Sequence, residues 1–456
     1  MKTWINKETL DKPSDEFKDA YVFSLNRKGY STIFSNITDT WLRTGNLSIT
    51  PIYEDLFVIG ISIFAMDKRI SRRQFKDCWT REINASIPVV EIEKWKKTEN
   101  EWNKMLGFLT GDLWKISFRK SEHQYSLRER QSSKKIEIKD CDSVCLFSGG
   151  LDSFCGAISL LEQGFSPCLF GHNEYPKLKA KQEKLESLFN HDYGGQTTKF
   201  LSFTANSRAP INSEGKLKGT ENTSRGRSLL FLCGALTIAN ILGDEVPVYI
   251  PENGFIGLNV PLTTSRKGTC STRTTHPTFL NEFRNILSMV EINNPILNFF
   301  QYSTKREVVN SVKDTNAFME GFSETISCSH PAVARYNKKG SRDYPINCGY
   351  CYPCLIRKSS LLDVNSSSEK YTYKGVSHTL VQSLSESEKS NDLFAVINSI
   401  YRYTQIDDSE IRRLVQCTGK LSEEEIEQYV LVYKKSMDDL IDLFSKDIKM
   451  KDYLDL

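Results

Sequence analysis

Between residues 140 and 365, short apolar runs alternate with longer amphipathic stretches, a pattern that predicts strands alternating with helices. Strands are expected over 143–147, 166–171, 199–203, 246–250 and 298–302, and helices over 152–163, 175–189 and 227–242. That alternation argues for an α/β fold, a parallel sheet with crossover helices on both faces. The 227–242 stretch is apolar almost all round, so it is expected to lie against the sheet. Residues 1–138 mix short apolar runs with charges and aromatics and are expected to form an α+β accessory unit that docks a partner. Its clearest strand is expected over 55–64, and the greasy run 57–66 reads as buried strand. Asp67, Arg69, Arg72, Arg73, Trp79 and Arg81 follow in a loop or short helix; Asp67, Arg72, Trp79 and Arg81 are expected to stabilise the fold rather than bind a ligand. The polar, basic stretch 128–139 reads as a linker. Residues 366–456 form a polar, helical tail, in which Ser422 and Glu425 have capping-box spacing. Beyond them Ile426, Tyr429, Val430, Tyr433, Met437, Leu440, Ile441 and Phe444 follow helical spacing and read as packing surface. The expected units are therefore 1–138, 139–365 and 366–456.

Composition narrows the class. A chain of 456 residues is long for one core. Its net charge of +3 is too near neutral to imply a nucleic-acid partner, so direct binding of nucleic acid is not expected. The first residues hold no apolar stretch that could act as a secretion signal, and no greasy run reaches the ~20 residues a membrane helix requires. A cytoplasmic protein without a membrane partner is expected, in which twelve cysteines stay reduced and free to bind metal. Eight of them (Cys78, Cys141, Cys145, Cys155, Cys168, Cys233, Cys270 and Cys417) are scattered, as small core residues are.

The turn Ser148-Gly149-Gly150-Leu151-Asp152-Ser153 joins the first expected strand of the 140–365 region to its first helix. Glycines let the backbone approach a phosphate closely, and the free N–H groups of the helix's first turn, with the positive end of its dipole, hold the anion. Ser148 and Ser153 can add hydroxyl donors. Asp152 is too anionic to face phosphate unaided, so it caps the helix or faces Mg²⁺. No Walker-type G-x-x-x-x-G-K-[ST] segment occurs, which excludes the P-loop class of nucleotide enzymes.

A second signal is Cys348-Gly349-Tyr350-Cys351-Tyr352-Pro353-Cys354, with Cys328 twenty residues upstream of Cys348. Four thiolates make a closed structural zinc site that adds folding energy to a loop-rich segment. An iron–sulfur cluster could use the same spacing, and His330 could replace Cys328 as a ligand.

The hexapeptide resembles the signature of the PP-loop ATP pyrophosphatases, which cleave ATP between the α- and β-phosphates and activate a substrate oxygen as an adenylate. In order along the chain, four elements resemble the 7-cyano-7-deazaguanine synthase (QueC) family. They are the 148–153 turn, Arg227 at the start of the apolar helix, Thr304-Lys305-Arg306-Glu307, and the cysteine set with its trailing Arg357. That resemblance implies ATP, Mg²⁺ and Zn²⁺ as cofactors, Ser148, Gly149, Gly150, Leu151, Asp152 and Ser153 as the phosphate loop, and Arg227 and Lys305 as further phosphate contacts. It also implies a 7-deazaguanine carboxylate, 7-carboxy-7-deazaguanine, as substrate. The chain departs from the biosynthetic enzymes at Glu252-Asn253-Gly254, at Asn259-Val260-Pro261 and at Ser271-Thr272-Arg273-Thr274-Thr275-His276-Pro277, where their substrate segment stands, and in its extra amino-terminal region. Both departures look like the QueC-like proteins of bacterial antiphage operons, such as those of Qat systems and type IV CBASS. For that branch the resemblance implies transfer of the deazaguanine to the N-terminal amine of a partner protein from the same operon. Because ligands bind beyond the carboxyl ends of strands in open α/β sheets, Glu252, Asn253, Arg273, Thr275 and His276 are expected to face the substrate. The alternatives are synthesis of the free nitrile, a PP-loop tRNA thiolase, and a non-catalytic nucleotide-binding scaffold.

Overall fold

Two sheets, one all parallel and one of four parallel strands with an antiparallel extension, stand on either side of a pair of buried helices. The computed structural model describes all residues except 9–10, 26–30, 46–48, 126–134, 197, 222, 224, 263–272, 333–343, 368, 374–375, 378–386, 448–449, 452–453 and 455–456. Most of the expected linker over 128–139, and Cys270, Ser271 and Thr272, therefore lie outside the described residues.

The amino-terminal part runs β1 (Lys2–Asn6), β2 (Tyr21–Ser24), β3 (Ile33–Ser35), α1 (Ile37–Arg43), α2 (Pro51–Arg69), β4 (Glu82–Val89), α3 (Ile92–Trp95), α4 (Glu99–Thr110) and β5 (Leu113–Lys120). Strands β2, β1, β4 and β5 are all parallel, and β4 and β5 pair over eight residues from Glu82↔Leu113 to Val89↔Lys120. This is α/β topology with crossover helices, where the alternation of charges and aromatics predicts α+β.

The run expected as a strand over 55–64 is instead the middle of α2, a nineteen-residue helix. Its β-branched residues favour a strand locally, but every residue from Ile52 to Asp67 is buried, so the segment is apolar all round because it lies between two layers. Pro51 at its start and Lys68 and Arg69 in its last turn are ordinary helix-end residues.

The second part contains β6 (Ser143–Leu146), α5 (Leu151–Glu162), β7 (Pro167–His172), α6 (Pro176–Asp192), β8 (Lys199–Phe203), β9 (Ala205–Ser207), β10 (Ile211–Asn212), β11 (Gly215–Lys216) and α7 (Arg225–Leu242). It continues through β12 (Val248–Tyr249), α8 (Gly254–Leu258), α9 (Pro277–Met289), β13 (Ile296–Leu297), α10 (Lys305–Asn310), α11 (Asn316–Gly321) and α12 (Tyr352–Ser360). Its sheet has the order β13-β12-β6-β7-β8, all parallel. The fifth strand lies at Ile296–Leu297, and 298–302, where it is expected, turns back toward α10. The tail is helical, with α13 (Ser387–Gln405), α14 (Asp408–Gln416) and α15 (Glu423–Ser445), and Ser422 and Glu425 form the capping box of α15. Six of the eight residues expected on its stripe pack into the core that the tail shares with α8 and α12, and Val430 and Ile441 are packed at its edge.

The 138/139 boundary separates two sheets but not two cores. Strands β10 and β11 leave the second part and extend the first sheet beyond β2, while β9 pairs antiparallel with β3. One apolar cluster takes in Ile5, Phe23 and Ile83 of the first sheet, α2, α7, and Val144, Phe170 and Phe203 of the second. Helix α7 is long and apolar enough to cross a membrane, yet 67% of it is buried inside the fold. Its start is tied to the amino-terminal part by Asp67, which accepts hydrogen bonds from Gly226 N (3.0 Å) and Thr223 Oγ1 (2.9 Å). The same carboxylate meets the fully buried Arg81, whose other partner is Asp112; Arg72 also pairs with Asp112. Asp67, Arg72 and Arg81 thus hold the fold together, whereas Trp79 is 47% exposed and braces nothing by burial.

Candidate active site

At the carboxyl end of β6 the chain turns through Ser148, Gly149 and Gly150 into α5. Gly149 takes φ +82°, and a side chain there would meet Gln182 Cγ at 3.1 Å; Gln182 is held by its bond to Phe147 O (2.7 Å). Ser148 Oγ accepts from Gly150 N and lies 3.2 Å from Ser153 Oγ, so the turn is braced by its own hydroxyls. The residue before the helix is Gly150, which has no side chain to cap it, and Asp152 does not cap either. Its carboxylate instead contacts the ammonium of Lys305 and accepts from Asn253 Nδ2 at 3.2 Å. The first-turn N–H groups of Asp152 and Ser153 have no acceptor within the helix, as at any helix start, and face the opening.

Lys305 is the first residue of α10, and its neighbours explain its aim. Thr304 caps the helix in a capping box with Glu307, fixing the direction in which the buried Lys305 leaves the backbone. Asn253 is the cap of α8, accepting from Ile256 N at 3.0 Å. The stretch Thr304–Glu307 and the stretch Glu252–Asn253 thus converge on Asp152 from two helix starts.

These groups line a cavity of about 380 Å³. The lining includes Ser148, Gly150, Leu151, Asp152, Ser153 and Lys305 together with the apolar Phe231, Leu232, Ile250, Pro251 and Ile256. Glu252 lines it too. Burial, and then the negative charge of Asp152, push its carboxyl up to about 8, with Lys305 pulling the other way. Arg227, at the start of α7, borders the far wall, where it pairs with Glu174 at 2.6 Å.

Of the expected substrate residues, Glu252 and Thr275 line the cavity and Asn253 supports it through Asp152. Arg273 and His276 are not among the lining residues. Arg273 lies over the Phe108 ring and donates to Phe108 O at 2.9 Å. His276 is buried as the cap of α9, with Nδ1 accepting from Thr278 N and Nε2 bonded to Thr418 Oγ1 at 3.0 Å, so both ring nitrogens are occupied. Residues not foreseen from the sequence complete the wall: His172, Glu174 and Tyr175 beyond β7, and Ser327. The first three follow the second strand of this sheet, and the rule that ligands sit beyond strand ends could have found them. Burial holds the His172 imidazole down to about 3, so it is neutral at pH 7.

Cys328, Cys348, Cys351 and Cys354 come together as a cluster that could hold a metal such as zinc. Cys328 Sγ lies 3.8 Å from Cys351 Sγ, and Cys348 Sγ lies 3.9 Å from Cys354 Sγ. Four sulfurs at ~2.3 Å around one tetrahedral zinc would be ~3.8 Å apart, so the donor set fits. His330, exposed, brings a ring nitrogen within 4.8 Å of three of the sulfurs. Hydrogen bonding among the thiols, from Cys328 first, draws Cys351 down to about 6, toward the thiolate that a metal takes.

The cluster is joined directly to the turn. Ile326 N donates to Gly149 O (2.9 Å), Leu151 N donates to Ser327 Oγ (3.4 Å), and Cys328 itself lines the cavity. Arg357, fully buried, donates to Thr325 Oγ1, Ser327 Oγ and Phe322 O and pairs with Glu369. It is therefore a brace for the 322–327 segment rather than a cavity residue.

Fold and site together define an α/β protein with a parallel sheet flanked by helices, a helix-start cavity beyond that sheet, and a cysteine cluster that could bind zinc beside it. No protein-family model matches the chain, and no curated protein matches it.

Proposed function

We propose that the chain is a PP-loop ATP pyrophosphatase of the QueC-like kind, an AMP-forming ligase acting on 7-carboxy-7-deazaguanine. The observation that carries this reading is one cavity with two kinds of lining: a glycine-bearing helix start beside Lys305, and a set of apolar side chains from α7, α8 and the end of the fourth strand. The first suits phosphates and the second a flat heterocycle. Ser148 and Ser153 offer hydroxyls, the backbone of Asp152 and Ser153 offers N–H groups, and Lys305 and Arg227 offer positive charge to the phosphate oxygens. The substrate carboxylate attacks the α-phosphate, the bond to pyrophosphate breaks, and the acyl adenylate then gives its acyl group to an amine.

Asp152 and Glu252 fit a divalent cation, because Asp152's charge already disfavours ionised Glu252 and a cation between them would relieve both. Mg²⁺ bound there would neutralise charge on the departing pyrophosphate. Zinc in the cysteine cluster would be structural, with Cys328, Cys348, Cys351 and Cys354 as its ligands. In keeping with the antiphage branch of the family, we propose a partner protein's N-terminal amine as acceptor and a cytoplasmic setting without direct nucleic-acid binding. A thiolase is less well supported: among the described residues only Cys328 lines the cavity, and it belongs to the cluster.

The test is release of AMP and pyrophosphate from Mg-ATP by purified protein with and without 7-carboxy-7-deazaguanine. Release that requires the deazaguanine, as a single-turnover burst without acceptor, supports the reading; steady turnover with ammonia supports free nitrile or amide synthesis. No AMP under any of these conditions sinks it, and an Asp152→Ala protein that keeps its biological activity would favour the scaffold.

A further inference from the structure

Beside the loop cavity lies a larger one, about 920 Å³, that adenylation does not use. Both halves of the chain build it: β3 and β9 form one wall, the end of α2 another, and the start of α6 a third. The two cavities share His172, Tyr175 and the ion pair of Glu174 and Arg227, so they meet there.

The larger cavity is cationic. Lys68, Lys179, Arg208 and Arg227 line it against the single carboxylate of Glu174, four positive charges minus one negative, or +3. Arg227 is taken by Glu174, and Lys179 by the exposed Glu183 on its own helix. No ion pair is seen for Lys68 or Arg208 among the described residues; each ammonium or guanidinium instead lies over a ring, Lys68 at 5.5 Å from Phe64 and Arg208 at 4.6 Å from Phe34. Helix α6, seventeen residues long, begins here with no acidic residue in its first turn and no side-chain cap from Tyr175. Its positive end adds to the same potential. His172 and Asn173 line the cavity too, 7% and 5% exposed, and among the described residues His172 Nε2 and Asn173 Oδ1 meet no hydrogen-bond partner. Buried polar atoms left this way are rare unless a ligand or water meets them. The β3–β9 wall is a ribbon of only two strands, to which no third strand is added among the described residues.

A ligand for this cavity is anionic, offers both donors and acceptors, and can lie along a strand ribbon; an extended peptide with carboxylate side chains meets all three needs. We infer that the cavity receives the acidic amino-terminal end of the acceptor protein and leads its α-amine past the Arg227–Glu174 pair to the loop cavity. This rests on the reading above that the acceptor is a protein amine. In the transfer, the neutral amine attacks the acyl carbon, a C–N bond forms, and the C–O bond to AMP breaks. AMP leaves with that electron pair, and the amine's extra proton passes to solvent.

The experiment uses the full chain and a short synthetic peptide of alternating glutamate and alanine, with a free amino terminus and a fluorophore at its carboxyl end. Anisotropy should show it binding about tenfold tighter at low salt than the same peptide with glutamine for glutamate. The Lys68→Glu/Arg208→Glu protein should lose that preference and keep the AMP burst; if it does not fold, Lys68→Met/Arg208→Gln serves instead. With ATP and 7-carboxy-7-deazaguanine, mass spectrometry should show the acyl group on the free peptide and none on its N-acetylated form. Equal binding of the two peptides, or a preference that survives both variants, overturns the inference even where the burst is intact. Displacement of the peptide by a single-stranded oligonucleotide at lower concentration also overturns it, in favour of nucleic acid. Peptide preference without any AMP burst upholds the ligand class of the cavity and sinks the adenylation reading.

Discussion

Replacing Lys305 with methionine keeps the packing of its stem and removes only the ammonium. In the native fold that ammonium contacts the Asp152 carboxylate, and the two side chains are 7% and 12% exposed. Asp152 would keep the hydrogen bond from Asn253 Nδ2 at 3.2 Å and its bond with the Glu252 carboxyl. Deleting one partner of a buried ion pair costs ~3–5 kcal/mol, and the surviving bonds with slight solvent access place this case near ~3 kcal/mol. An unfolding entropy of ~2.1 cal/mol/K per residue over 456 residues amounts to ~1 kcal/mol/K, so the melting temperature at pH 7 should fall by ~3 °C. Asp152→Asn alone strands the lysine and should be costly too. The double variant Asp152→Asn/Lys305→Met leaves no buried charge alone and should recover most of the loss. Calorimetry on the four proteins closes the cycle. A coupling below ~0.5 kcal/mol, or a Lys305→Met protein as stable as its parent, would refute the pairing that orders the candidate site. All three variants should also lose the AMP burst, because none presents both the carboxylate and the ammonium.

Glu252 gives a prediction in pH. Its folded value of about 8 stands above its ordinary 4.5, so its contribution to stability is complete below pH 4.5 and is lost as pH rises toward 8. Glu252→Gln should therefore be the more stable protein at pH 8, on the order of 1–3 kcal/mol, with the gain gone at pH 4; urea midpoints at the two pH values check the sign. Cys351→Ser should abolish zinc binding measured by elemental analysis. It should also weaken nucleotide binding, since the cluster's segment is bonded to Gly149 and Leu151. Arg81→Met removes the buried guanidinium that Asp67 and Asp112 share, leaves Asp112 with Arg72 alone, and should cost ~3–5 kcal/mol in denaturant unfolding. A loss under ~1 kcal/mol there would mean that the two carboxylates reach solvent.

What the sequence made legible was local. The strand at 199–203 is found where expected, and the turn at 148–153 could be read because strand, glycines and helix are contiguous in the chain. The cysteine spacing was equally local, and the cluster forms. What it hid was set by neighbours far away in the chain. The 57–66 run has the composition of a strand, and only burial on all sides by α7 and both sheets makes it a helix. His172, Glu174 and Tyr175 join the cavity because β7 stands next to β6 in the sheet order. Arg273 and His276 follow the fourth strand closely in sequence, but by then the chain has turned into the cap of α9, whose partners Phe108 and Thr418 come from elements at opposite ends of the protein.

The same distant contacts give the amino-terminal part a role in the site. Asp67 accepts from Gly226 N, one residue before Arg227, while its other oxygen holds Arg81 beneath the first sheet. Arg225, buried beside them, donates to Thr110 O at the end of α4. The start of α7 is thus fixed by α2, α4 and the loop before β4, all of which precede residue 138. Arg227 borders both cavities from that helix start. A helix end frays unless its free N–H groups are met, and here the acceptor is a carboxylate that is itself locked by a buried guanidinium. The amino-terminal part therefore does more than offer a surface for docking. It fixes the position of Arg227, the one cation among the described residues that borders both the loop cavity and the larger cavity beside it, and without it neither cavity would keep its shared wall.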